Sequence, residues 1–110
     1  MLIRFTYSTF LAITLIFLTT VQVAAQNRWV TIINNTGYDI VRFYGSHRDA
    51  KTWQEDILGK RILPSGSSIN INFDDGSGYC IFDFKAVFED DDVLIRKGLN
   101  ICEISNFTYN

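Results

Sequence analysis

At 110 residues the chain has room for one domain and no more. Its formal charge is −2, and with Arg42, Arg48, Lys51, Lys60 and Arg61 dispersed among Asp49, Glu55 and Asp56 it lacks the basic stripe that a nucleic-acid partner requires. Two cysteines at this spacing, with a single histidine, exclude a CxxC redox pair and a zinc site.

The N-terminus reads as a leader. Met1 to Arg4 is a short positive opening, Phe10 to Leu18 is an uncharged apolar run, and Val23-Ala24-Ala25 supplies the small side chains a signal peptidase needs. The run falls short of the roughly 20 residues that cross about 30 Å of hydrocarbon, and Thr19-Thr20 interrupts it. Residues 1–25 are therefore expected to be a cleaved signal peptide, residues 26–110 a single secreted or periplasmic domain, and no stable membrane insertion is expected after cleavage. Loss of Arg4 leaves that domain near −3. A domain this small buries only about 60–65% of its unfolded surface, so it benefits from a covalent staple. In an oxidising compartment Cys80 and Cys102 are expected to form a disulfide.

The mature sequence has the rhythm of strands. Arg28 to Asn34 is aromatic and β-branched, Asn34-Asn35-Thr36-Gly37 reads as a turn, and Tyr38 to Gly45 as the returning strand of a hairpin with either face able to turn inward. Between Ser46 and Lys60 the alternation stops. Thr52-Trp53-Gln54-Glu55 has capping-box spacing, so a short helical turn is expected near residues 52–57, with Trp53 anchoring the excursion over the core or stacking on a ligand.

A short strand at Arg61 to Leu63 and a turn at Pro64-Ser65-Gly66 follow. Ser67 to Phe73 then points Ile69, Ile71 and Phe73 inward. After Asp74-Asp75-Gly76-Ser77-Gly78, the stretch Tyr79 to Phe88 lines Cys80, Phe82, Phe84, Ala86 and Phe88 on one face, the pattern of a central core strand. Glu89 to Asp92 is a solvated turn, Val93 to Lys97 the next strand, and Leu99 to Glu103 and Phe107 to Tyr109 the closing segments. The sum is an all-β domain, a small antiparallel β-sandwich or barrel of about seven strands.

The residues Asn35-x-Gly37, Ile40, Tyr44-x-Ser46, Trp53-x-x-Asp56-x-Leu58-Gly59, Leu63-Pro64-x-Gly66, Cys80-x-Phe82-Asp83-Phe84-Lys85-Ala86, Phe88-Glu89-Asp90 and Cys102 together resemble a set of small exported bacterial proteins of unknown function. The resemblance covers nearly all of Trp29 to Phe107. Some proteins similar to these carry the name argininosuccinate lyase, which does not transfer here. Lyases of that family look like large helical proteins with shared active sites, and Gly66-Ser67-Ser68 lacks the flanking Met-Pro-x-Lys context. One departure from the pattern is Asp90-Asp91-Asp92 where Asp-Gly would follow the Phe88 strand, which implies a longer or strained turn.

Candidate chemistry is sparse. His47 lies in the polar Ser46-His47-Arg48-Asp49 and has no evident triad partner, and Glu55-Asp56 are adjacent rather than set across a cleft. No cofactor is expected other than calcium, for which Asp74, Asp75, Asp90, Asp91 and Asp92 offer oxygen ligands if the two acidic turns share one end of the domain. Trp53, Tyr44, Tyr38 and His47 are the candidate binding residues, and Trp29 shares their amphipathic character. Asn34-Asn35-Thr36 and Asn106-Phe107-Thr108 match glycosylation acceptors, meaningful only in a eukaryotic secretory pathway. The expected function is therefore a non-enzymatic exported module that binds a protein or glycan through loops and aromatics. The alternatives are an inhibitor presenting Ser46 to Lys60 to a secreted hydrolase, and a weak calcium-binding module.

Overall fold

The computed structural model describes residues 27–110, so the leader reading of residues 1–25 lies outside the described residues. Six strands form two three-stranded sheets. The strands are β1 (Trp29–Asn34), β2 (Ile40–His47), β3 (Ser68–Asn72), β4 (Ile81–Phe88), β5 (Val93–Asn100) and β6 (Asn106–Tyr109). One sheet has the order β3-β1-β6 and the other β2-β4-β5. This is a sandwich rather than a barrel. β1 pairs antiparallel with β3 but parallel with β6, the exception to an otherwise antiparallel set.

Aromatic rings fill the space between the sheets. Phe73, just past β3, stacks on Phe84 of β4 with centroids 4.9 Å apart and meets Phe82 edge-on at 5.8 Å. Phe43 of β2 meets Tyr109 of β6 at 6.3 Å, and Phe84 meets Phe107 at 5.5 Å. Val30, Ile32 and Ile71 complete one wall, while Ile40, Ala86 and Phe88 complete the other. Because such pairs add about 0.5–1.5 kcal/mol each beyond their buried area, this cluster is the main cohesion between the sheets.

The alternation in β3 and β4 is as the sequence implies, with Ile71, Phe73, Phe82, Phe84, Ala86 and Phe88 all buried and β4 central in its sheet. Three local expectations are corrected, and one question the sequence left open is answered. First, β1 and β2 do not form a hairpin. Asn34 is fully buried, and its Nδ2 donates to the carbonyls of Tyr38 at 2.7 Å and Leu63 at 2.9 Å, while its Oδ1 accepts from Thr36 N and Oγ1. This network carries the chain from one sheet to the other, so β2 pairs with β4 instead.

Second, the open question of which β2 face turns inward has a mixed answer. A register shift between Ile40 and Arg42 lets Ile40 and then Phe43 both enter the core, as one inserted residue switches the faces. Third, no helical turn forms at residues 52–57. Asp56, not Thr52, supplies the cap-like acceptor, taking the N–H groups of Phe43 at 2.9 Å and Leu58 at 3.0 Å. Fourth, Arg61 to Leu63 is no strand but a single bridge, in which Ile40 and Leu63 exchange backbone bonds of 2.9 Å. The strands therefore number six among the described residues, not about seven.

Cys80 and Cys102 are joined, with Cα atoms 5.3 Å apart across 22 positions. The bridge ties the segment entering β4 to the segment between β5 and β6. A closed loop of this length is worth about 3 kcal/mol in the chain-entropy model. Such a bridge belongs with an oxidising compartment.

Candidate functional site

The sandwich end where β2 finishes and β4 begins gathers most of the polar and aromatic candidates. The excursion from 48 to 60 is held against β2 rather than left free. Ser46 Oγ donates to the Trp53 carbonyl at 2.8 Å, Ile57 N–H donates to the Phe43 carbonyl at 2.8 Å, and Asp56 accepts from Phe43 as above. Leu58 is buried and Ile57 packs against the core, so apolar side chains pin the far side of the loop. Gln54, at its outer rim, takes φ 63, a conformation uncommon for a residue with a Cβ.

Between this excursion and the β3–β4 connection lies a groove of about 500 Å³. Its floor is Ile57, Ile71, Phe73 and Phe82, and its rim holds Glu55, Asp56, Asp74 and Asp75 with no Lys or Arg among the described residues. Gly45 shapes the floor. A Cβ there would sit 2.5 Å from Phe73 Cε1, so only glycine lets the Phe73 ring lie where it does. Desolvation pushes the Asp75 carboxyl up, but hydrogen bonds from the Ser77 side chain and backbone, with His47 nearby, hold it net below its ordinary value. Asp75 is therefore anionic at neutral pH and remains so into mild acid.

On the other side of the excursion a smaller hollow of about 260 Å³ has the opposite sign, lined by His47, Arg48, Lys51, Trp53 and Lys97 with Asp83. Above it, on the outer face of the β2-β4-β5 sheet, the Lys85 ammonium lies 4.7 Å from the Tyr44 ring centre and 5.2 Å from that of Trp53. Trp53 thus anchors the excursion, but on the sheet's outer face rather than over the core. His47 is the last residue of β2 rather than a loop residue, half-buried, and stacked on Tyr79 at 4.5 Å. Tyr79 is exposed, and its hydrogen bond with Asp49, together with that carboxylate's charge, raises its pKa.

No family model, curated protein or solved structure matches the chain. The geometry therefore carries the reading by itself.

Of the candidate binding residues, Tyr44, His47 and Trp53 come together at this end. Tyr38 does not. It is 53% exposed at the opposite end, beside the β4–β5 hairpin with Asp90 and Asp92. The acidic turns are also separated. Asp74 and Asp75 precede β4 and Asp90 to Asp92 follow it, and 8 residues at about 3.3 Å each put more than about 20 Å between them. One calcium ion cannot bridge both turns. Several of these carboxylates also serve their own turns, Asp74 accepting from Gly76 N, Asp75 from Ser77 N and Asp90 from Asp92 N. No group of three or more potential ligands converges among the described residues. The Asn34 acceptor motif is sealed inside the fold, whereas Asn106 is exposed.

Reading the sequence alone missed Gly45, Gln54 and Phe73 as groove residues. Two of them carried a signal: Gly45 interrupts an otherwise bulky strand, and Phe73 immediately precedes an acidic turn.

Proposed function

We propose that this protein is an exported, non-enzymatic binding module whose groove between the 48–60 excursion and the β3–β4 connection receives a cationic group with an apolar stem, such as a lysine or arginine side chain of a protein partner. The supporting observation is the pairing of four rim carboxylates with a floor of Phe73, Phe82, Ile57 and Ile71. A long basic side chain lays its methylenes on apolar surface and its charge among carboxylates, and aromatic faces add cation–π attraction. The leader-like N-terminus and the oxidised cysteines support export. The partner meets a rigid edge, since the excursion is bonded to β2 at both Ser46 and Phe43. That rigidity also supports the narrower reading of an inhibitor for a secreted hydrolase, because a pre-ordered loop loses little entropy on docking.

Titration of the ¹⁵N-labelled protein with N-acetyl-lysine methylamide and its arginine counterpart tests the groove. Amide shifts are expected at Gly45, Gln54 to Ile57 and Phe73 to Asp75, with millimolar affinity for so small a probe. Shifts spread equally over Asp90 to Asp92, or no shifts at all, would remove the reading.

A further inference from the structure

The two edges of the β2-β4-β5 sheet differ. β2 is covered on its outer side by the Leu63 bridge, by Ile57 and by Asp56. β5 is exposed along most of its length, from Val93 to Gly98 with only Leu94 half-buried. Phe88 N–H donates to the Asp92 carbonyl, so Asp92, Leu94 and Arg96 turn their backbone groups toward β4. By alternation the backbone groups of Val93 and Ile95 face outward from the sheet. Among the described residues their one partner on that side is the guanidinium of Arg96, which donates to the Ile95 carbonyl at 3.0 Å. The side chains of Val93 and Ile95 are each 43% exposed. Such an edge is a template for another strand.

The charges around it select the strand. Asp90-Asp91-Asp92 precede the apolar pair and Arg96-Lys97 follow it, so the segment is complementary to itself when reversed. We propose that β5 pairs antiparallel with β5 of a second copy of this chain, about a two-fold axis at Leu94. Val93 then lies opposite the second copy's Ile95 and Arg96 opposite its Asp92, while Lys97, just past the paired stretch, faces the turn that carries its Asp91. An axis at Val93 would set Ile95 against Asp91, and one at Ile95 would set Val93 against Lys97. The axis at Leu94 matches apolar with apolar and acid with base. The irregularity at Gly98, held at φ 71 with its N–H on Asp83 Oδ1 at 2.9 Å, ends the pairing after Lys97. So short an edge makes a weak dimer, which forms with concentration and loosens with salt.

Sedimentation velocity on the protein recovered from expression of the full 110-residue sequence under oxidising conditions tests this. At low salt and high micromolar concentration the sedimenting mass is expected to approach two copies. Lys97→Glu alone and Asp91→Lys alone each set like charges across the axis twice and are expected to sediment as one copy, while their equimolar mixture restores two. Both positions are exposed, and an unchanged far-ultraviolet spectrum verifies each fold. Ile95→Pro removes an N–H that points away from β4, and is expected to abolish association without unfolding the sheet. A single-copy mass at every concentration, a dimer that survives Ile95→Pro, or a mixture of the charge variants that stays monomeric would overturn the proposal.

Discussion

Tyr109 is 1% exposed, and its hydroxyl has no hydrogen-bond partner among the described residues. Burial raises the pKa of this phenol well above its ordinary value, and the Arg96 charge opposes that rise only in part. A buried hydroxyl without a partner costs about 1–3 kcal/mol, so Tyr109→Phe is expected to leave stability unchanged or raise it by about 1 kcal/mol in denaturant unfolding at neutral pH. The alkaline behaviour has a definite sign. The folded-state pKa lies above the unfolded one, so the native state keeps a proton that the unfolded chain releases, and stability falls as pH rises beyond about 10. Tyr109→Phe is expected to flatten that alkaline decline. Asp91 poses a second test at this scale. Its φ of 68 closes the three-residue loop between Phe88 and Asp92, where Asp91 N–H donates to the Phe88 carbonyl at 2.9 Å. Asp91→Gly relieves the backbone there and is expected to stabilise the fold by about 0.5–1 kcal/mol in the same assay.

At the scale of elements, the most informative feature is the passage from β1 to β2. Asn34 donates to carbonyls of Tyr38 and Leu63 that lie far apart in sequence and accepts twice from Thr36, so Asn34→Ala removes four hydrogen bonds at once from a buried site. A loss of about 3 kcal/mol is expected from denaturant midpoints. A loss under about 1 kcal/mol would show that the network does not direct the chain between sheets. This is also where sequence reasoning stopped. β3 and β4 were legible because alternation of Ile69, Ile71, Phe73 and of Phe82, Phe84, Ala86 reports one buried face directly. Asn34-Asn35-Thr36-Gly37 has the composition of a hairpin turn, and nothing local records that its first side chain bonds Leu63, 29 positions on. Likewise Thr52 and Glu55 have capping spacing, but the adjacent Asp56 reaches the Phe43 N–H and holds the segment extended against β2. Tyr44, Trp53 and His47 were recognisable as binding types. Their convergence was not, because it depends on a loop folding back over a sheet.

For the molecule as a whole, two sheets joined by an aromatic core and one covalent tie make a small domain with little reserve. Cys80→Ser or Cys102→Ser is expected to remove about 3 kcal/mol, which for a domain of this size lowers Tm by roughly 10–25 °C. An unchanged melt would mean that the Phe43, Phe73, Phe84 and Tyr109 cluster suffices without the tie. The same architecture separates charge by end. The groove carboxylates lie where β4 begins and the Asp90 to Asp92 turn where it finishes, so a cationic partner can distinguish the two ends only if the apolar floor contributes. Binding in the groove is expected to fall as pH drops through the carboxylate range, because protonation removes the charge that attracts the ligand. Asp75, held below its ordinary value by the Ser77 hydrogen bonds, is expected to keep its charge further into acid than a free carboxylate.

The most direct test compares two double variants by calorimetric titration with a lysine-rich peptide. Glu55→Gln with Asp75→Asn is expected to abolish the heat of binding, while Asp90→Asn with Asp92→Asn, equal in charge removed, leaves it intact. Equal losses from both pairs would contradict a groove-specific site and reduce the interaction to net charge.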